Sequence, residues 1–221
     1  MTKEDKKLIY VLGGVAAFIG VVVYIFKDKI FISMSDFKKN LTKLAEQHWN
    51  IWGKGTIKEG DKRTMDELRS YWASVGWGSK PDSVKVNEAW SAAFISYMMK
   101  QAGAGTFFPY SASHSTYIVQ SIKNKKAKAG KFQGFKPNET KVEVGDLIGR
   151  ARQTGVTYDT TGAYKSHTDI VTEIKDGKAK MIGGNVSNSV AATWVKLDEA
   201  GKIAPSEISK KGYFVVIKNL M

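Results

Sequence analysis

The sequence predicts an α+β fold, a transmembrane helix at the N-terminus followed by a domain of helices packed on an antiparallel sheet. Three observations carry this expectation. An uncharged apolar run lies near the N-terminus, apolar residues then recur at helical spacing from residue 36 to about residue 126, and after about residue 142 the pattern changes to strand-like alternation. Helices first and strands afterwards is the order of an α+β domain rather than of alternating βαβ units.

From Leu8 to Phe26 the stretch LIYVLGGVAAFIGVVVYIF holds no charged residue. At about 1.5 Å per residue it comes close to the roughly 30 Å hydrocarbon thickness of a bilayer. It exceeds the h-region of a signal peptide, and no small-residue cleavage site follows before Lys27, so a retained anchor is expected. Tyr10 and Tyr24 sit near its ends, with Lys6, Lys7, Lys27 and Lys29 outside them. Residues 1–7 are then a short tail, 27–35 a linker and 36–221 a single domain. A single-pass membrane location is expected.

Within the domain, SDFKKNLTKLAEQHWNIWG places Phe37, Leu41, Leu44, Ala45, His48 and Trp52 on one helical face and stops at Gly53. DKRTMDELRSYWASVG repeats the pattern with Met65, Leu68, Trp72 and Val75, ending at Gly76. EAWSAAFISYMMKQAG, residues 88–103, is the most apolar helix, with Ser91 in its first turn and Gly103 at its end. SHSTYIVQSIKNKK is a fourth. The candidate strands are VGDLIGRAR, HTDIVTEI, KAKMIGGNV, VAATWVKL and GYFVVIKN, and Asp176-Gly177 is the hairpin turn between the second and third.

A hydrophobic fraction of 43% with 11% aromatic residues is a globular composition. The absence of cysteine excludes disulfides, thiolate metal sites and a cysteine nucleophile. A formal charge of +13 calls for an anionic neighbour: nucleic acid, lipid or wall polymer. Lys123 to Lys131, in KNKKAKAGK, concentrates that charge, with Lys136, Lys141, Arg150 and Arg152 nearby. The run lacks interleaved aromatics and any nucleic-acid motif, so no specific nucleic acid is expected. The expected partners are an anionic polymer and the lipid bilayer through residues 8–26. His167-x-Asp169 alone is too little for a metal site, and no metal or cofactor is expected.

The succession WSAAFISYMMKQAG, GDLI, HTDIV and IGGNV resembles the papain-like cell-wall peptidases and amidases of the NlpC and CHAP type. It resembles more closely an uncharacterised family of bacterial and phage proteins, in which serine stands in WSAAFIS and YSASHSTYI follows. The resemblance covers about residues 40 to 200. It implies a papain-like domain in which Ser91, where the hydrolases carry cysteine, is a nucleophile at a helix N-terminus. It also implies His167 as the base and Asn185 as the group that orients the imidazole.

The residues themselves leave alternatives open. Strand alternation sets Asp169 on the face of His167, as a rival orienting group or substrate contact. His114 lies on a serine-rich turn entering a helix, a setting suited to a site residue. His48 falls on an inner helical stripe, where a hydrogen-bonded core role fits. Glu88 lies three residues before Ser91. If Glu88 or Glu46 faced Asp169, glycan cleavage by paired carboxylates would follow. What the resemblance implies, taken with the apolar run, is a membrane-anchored peptidoglycan hydrolase, phage or virion-associated, cutting peptide or amide bonds. It implies a place in a bacterial inner membrane or the membrane of a phage virion, with peptidoglycan or another anionic wall polymer and virion or membrane proteins as the hydrolase's expected partners. Its rivals are an inactive scaffold serving as a structural or binding protein, and a muramidase.

Overall fold

Apolar spacing sets each helix of the domain. In the computed structural model, which describes residues 36–221, the first helix (α1) occupies 36–51. It buries Phe37, Leu41, Ala45 and His48 along one stripe. Helix α2 (Met65–Ala73) turns Leu68, Tyr71 and Trp72 inward. A short helix α3 (Asp82–Asn87) precedes α4 (Ser91–Ala102), which ends at Gly103 in the left-handed conformation, φ 99°. Helix α5 runs His114–Lys126. The strands are β1 (Phe132–Phe135), β2 (Leu147–Ala151), β3 (Ser166–Lys175), β4 (Lys178–Gly183), β5 (Ala191–Lys196) and β6 (Tyr213–Asn219), with α6 (Pro205–Lys211) before the last.

The strands form one six-stranded antiparallel sheet in the order β1-β6-β2-β3-β4-β5. Asp176 and Gly177, at φ 50° and 65°, make the expected turn between β3 and β4. Helices α1, α2, α4 and α5 bury one face of the sheet through Leu147, Ile170, Ile182, Val215 and Ile217. The other face carries Ile148, Val171, Met181, Val195 and Val216, with Ile208 of α6 against it. Each large apolar side chain removed from water in this way contributes about 1.5–3 kcal/mol. Residues Phe37–Met221 form one compact unit.

The expected fold class needs a correction. Among the described residues no helix is long and apolar enough to cross a membrane. The physical reason is visible in α4 and α5, of 12 and 13 residues, where a span needs about 20 apolar ones. The transmembrane expectation for residues 8–26 lies outside the described residues. A single-pass location in a bacterial inner membrane or virion membrane therefore has no support in the fold and is not carried forward. The structure holds an α+β domain with a six-stranded antiparallel sheet.

Five elements differ from the sequence reading. Residues 82–87 form α3, so Glu88 ends that helix in extended backbone instead of opening α4. The strands read from KAKMIGGNV and VGDLIGRAR are shorter, and β4 stops at Gly183, before Asn185. Strand β1 and helix α6 were not among the expected elements.

Candidate active site

Helix α4 begins beside the end of the sheet because the residue before it is anchored. Trp90 is fully buried. It stacks on Trp52 at 4.9 Å and on Tyr71 at 5.7 Å, and its Nε1 donates to Glu59 at 2.5 Å. The loop after β4 reaches α4 only because residue 184 has no side chain. A Cβ on Gly184 would lie 2.4 Å from Cβ of Phe94 and 2.8 Å from the Trp90 ring. Ser91 follows Trp90 as the first residue of α4, 7% exposed, where the first backbone N–H groups of a helix lack intrahelical acceptors.

The start of α5 is tied to the middle of α4. Ser96, fully buried on α4, donates its hydroxyl to the Ser111 carbonyl at 3.0 Å and accepts from the Ser111 amide at 3.0 Å. That clamp delivers His114, the first residue of α5, to Ser91. The Ser91 Oγ to His114 Nε2 separation is 2.6 Å. At the other nitrogen, Nδ1 meets the hydroxyl of Tyr117, one helical turn on, and Thr168 Oγ1 of β3 at 2.9 Å. Those two hydroxyls bond each other at 2.8 Å.

A second histidine stands next to this group. His167 and His114 have ring centroids 5.3 Å apart. His167 Nε2 donates to Asp169 Oδ1 at 2.8 Å, and both side chains are buried. Asp169 fits there because the adjacent β4 residue is Gly183. A Cβ on Gly183 would come within 1.7 Å of the Asp169 carboxylate.

Ser91, His114, His167 and Asn185 line one cavity of about 600 Å³. Arg152, Tyr164, Lys165 and Ser166 form another part of its wall.

A family model described as uncharacterized protein conserved in bacteria, DUF2272, matches residues 50–218. The chain belongs to the DUF2272 family. The matched span of this DUF2272 chain contains the whole site, from Ser91 to Asn185. The expected kinship with NlpC and CHAP peptidases narrows to this one family, since the match does not extend to that superfamily. No curated protein and no solved structure matches the chain.

Of the residues singled out in this DUF2272 sequence, the structure brings together Ser91, His114, His167, Asp169 and Asn185. The direct partner of Ser91 is His114 and not His167, and the partner of His167 is Asp169. Among the described residues Asn185 bonds neither imidazole, because it sits past the end of β4 with a left-handed backbone, φ 55°. Glu88 is exposed and lies outside the cavity wall. Tyr117 and Thr168 escaped the sequence reading; the one available signal was the i, i+3 spacing of Tyr117 from His114.

Burial, with the neighbouring His167 and Arg152, drives the His114 pKa well below the ordinary histidine value, so its imidazole is neutral near pH 7. Burial likewise pushes the Tyr117 phenol up, keeping it a hydroxyl. Burial raises Asp169 too, but His167, Arg150 and Arg152 together outweigh it and hold the carboxyl below its usual range. Asp169 is thus an anion bonded to His167. Among the described residues no group of three His, Asp or Glu side chains could hold a metal ion.

With its proton on Nδ1, directed at the hydroxyls of Tyr117 and Thr168, His114 offers the Nε2 lone pair to the Ser91 hydroxyl. This is the relation a serine nucleophile needs with its base. The usual carboxylate behind the imidazole is replaced by two hydroxyls.

Proposed function

We propose that this protein is a bacterial cell-wall hydrolase that cuts a peptide or amide bond, with Ser91 as nucleophile and His114 as its base. The observation that carries the reading is the 2.6 Å contact between Ser91 Oγ and His114 Nε2 inside a cavity large enough for a peptide segment. Ser91 Oγ would attack the carbonyl carbon while its proton passes to Nε2, and the carbonyl oxygen would take the negative charge. The N–H groups of the first turn of α4, which lack intrahelical acceptors, would be the donors for that charge. Collapse would expel the amine with the proton from His114 and leave an ester on Ser91, which water then hydrolyses. His167, paired with Asp169, is the second group able to exchange a proton with that water.

The wall as substrate is supported by the resemblance of WSAAFIS, HTDIV and IGGNV to papain-like wall peptidases, and by a charge of +13 suited to a polyanionic polymer. The test incubates the intact chain with peptidoglycan and analyses the products. New amines that disappear in Ser91→Ala and His114→Gln are expected. Amine release that survives Ser91→Ala would sink the assignment.

One observation favours a second reading, a wall-binding module without turnover. An imidazolium at His114 would have hydroxyls and no carboxylate at Nδ1, which stabilises it less well. Co-sedimentation with wall material without any product would decide for that reading. Cleavage by paired carboxylates has less support, because no Asp or Glu is among the residues lining the cavity and Glu46 is held by Lys180 at 2.8 Å.

A further inference from the structure

We infer that the wall of the cavity formed by Arg152, Tyr164, Lys165 and Ser166 binds a carboxylate of the substrate, making this a site for acidic peptides. The inference deepens the hydrolase reading and rests on it for placing the scissile carbonyl at Ser91. Four features of the wall support it. Its two charged residues, Arg152 and Lys165, are both cationic and adjacent, the Arg152 amide donating to the Lys165 carbonyl at 2.9 Å. Among the described residues neither forms a salt bridge, whereas Lys180 and Lys218 at other places in the sheet are paired with carboxylates at 2.8 and 2.6 Å.

The wall also holds hydroxyls without partners. The Tyr164 hydroxyl and Ser166 Oγ are buried with no hydrogen-bond partner among the described residues, and the Tyr164 side chain is only 8% exposed. An orphaned buried hydroxyl costs about 1–3 kcal/mol, so two on one wall mark a place where a ligand supplies the acceptor. The lining contains no Asp or Glu that could serve instead. Every unsatisfied group there can donate, and an oxyanion with several lone pairs satisfies such a set.

A carboxylate fits better than a free anion because the same cavity contains Ser91. The ligand therefore carries its negative group a short distance from a carbonyl, as an acidic residue flanking a peptide bond does. Arg152 would take the carboxylate through its guanidinium, Lys165 would add charge, and Tyr164 and Ser166 would fix its orientation.

The test separates binding from turnover. N-acetyl-alanyl-glutamate and its fully amidated counterpart are titrated calorimetrically into the intact chain carrying Ser91→Ala, with inorganic phosphate as a third ligand. The acid is expected to bind about tenfold or more tightly than the amide. Arg152→Gln, at an exposed position whose change leaves the core intact, should remove about tenfold of that preference, and Tyr164→Phe a smaller part. Equal binding of acid and amide, no binding of either at millimolar concentration, or a preference untouched by Arg152→Gln overturns the inference. Phosphate binding that excludes the peptide acid overturns it in favour of a phosphate site. If wall digestion fails while the acid preference stands, it is the hydrolase reading that falls.

Discussion

His114 is the residue on which the chemistry turns, and its environment can be probed one hydroxyl at a time. Tyr117→Phe removes one acceptor from Nδ1 and leaves Thr168 Oγ1 at 2.9 Å. The expected result is a loss of about 1 kcal/mol in stability and about tenfold in kcat, with KM little changed. Thr168→Val should do likewise, and the double variant should cost less than the sum, since the two hydroxyls also bond each other at 2.8 Å. Additive losses would mean that the two act independently of the imidazole. A readout free of turnover is the 15N spectrum of His114, which should stay that of a neutral ring through pH 6 because burial holds its pKa well below the ordinary value. Much of this group was legible in the sequence: Ser91 at a helix start, and Asp169 on the face of His167 through strand alternation. The direct partner of Ser91 was not. His114 is 23 residues away, and only the packing of α5 against α4 brings it in. Asn185 misled because IGGN reads as continuing strand, while the backbone turns left-handed there.

At the scale of elements, the site depends on two close approaches that glycines permit and one clamp that serines make. Gly184→Ala would drive a methyl into Phe94 and Trp90, and Gly183→Ala would drive one into the Asp169 carboxylate. Each is expected to lower stability by about 1–3 kcal/mol, measured as a shift of the urea midpoint. Gly183→Ala should in addition impair turnover beyond what Gly184→Ala does, because it displaces the partner of His167. Ser96→Ala removes both bonds to Ser111 and leaves a half-buried amide and carbonyl without their partner, at a cost of about 1 kcal/mol. If turnover were unchanged in Ser96→Ala, the clamp would not be what sets His114 against Ser91. The elements that the sequence reading lacked have physical explanations. Residues 82–87, DSVKVN, alternate polar and apolar residues and give no helical stripe. The four residues of β1, FQGF, are too short for a period to show. Helix α6 carried a usable signal, Pro205 at its first position and Gly212 past its end at φ 69°, but its seven residues hold little apolar pattern.

The molecule as a whole buries two neutral imidazoles, and this fixes how its stability responds to acid. His48, on α1, has Nδ1 2.7 Å from the Tyr71 hydroxyl, which itself accepts from Trp52 Nε1 at 3.1 Å. Burial lowers its pKa from 6.5 to about 4, and His114 is displaced in the same direction. Both values are depressed on folding, so between about pH 6.5 and pH 4 the unfolded chain binds protons that the native chain refuses. Stability is then at its plateau above the unfolded value and falls as pH drops below it. With two such groups the slope approaches about 2.7 kcal/mol per pH unit, and His48 alone accounts for about 3 kcal/mol over the interval. Asp169, held below the ordinary carboxylate range, acts in the same sense at still lower pH. The urea midpoint should therefore be flat from pH 8 to about pH 7 and decline steeply toward pH 4.5, and His48→Gln should remove roughly half of that decline while lowering the plateau. A midpoint that stays level down to pH 4.5 would mean that the imidazoles take up protons without leaving the core, and the neutral base assigned to Ser91 would go with it.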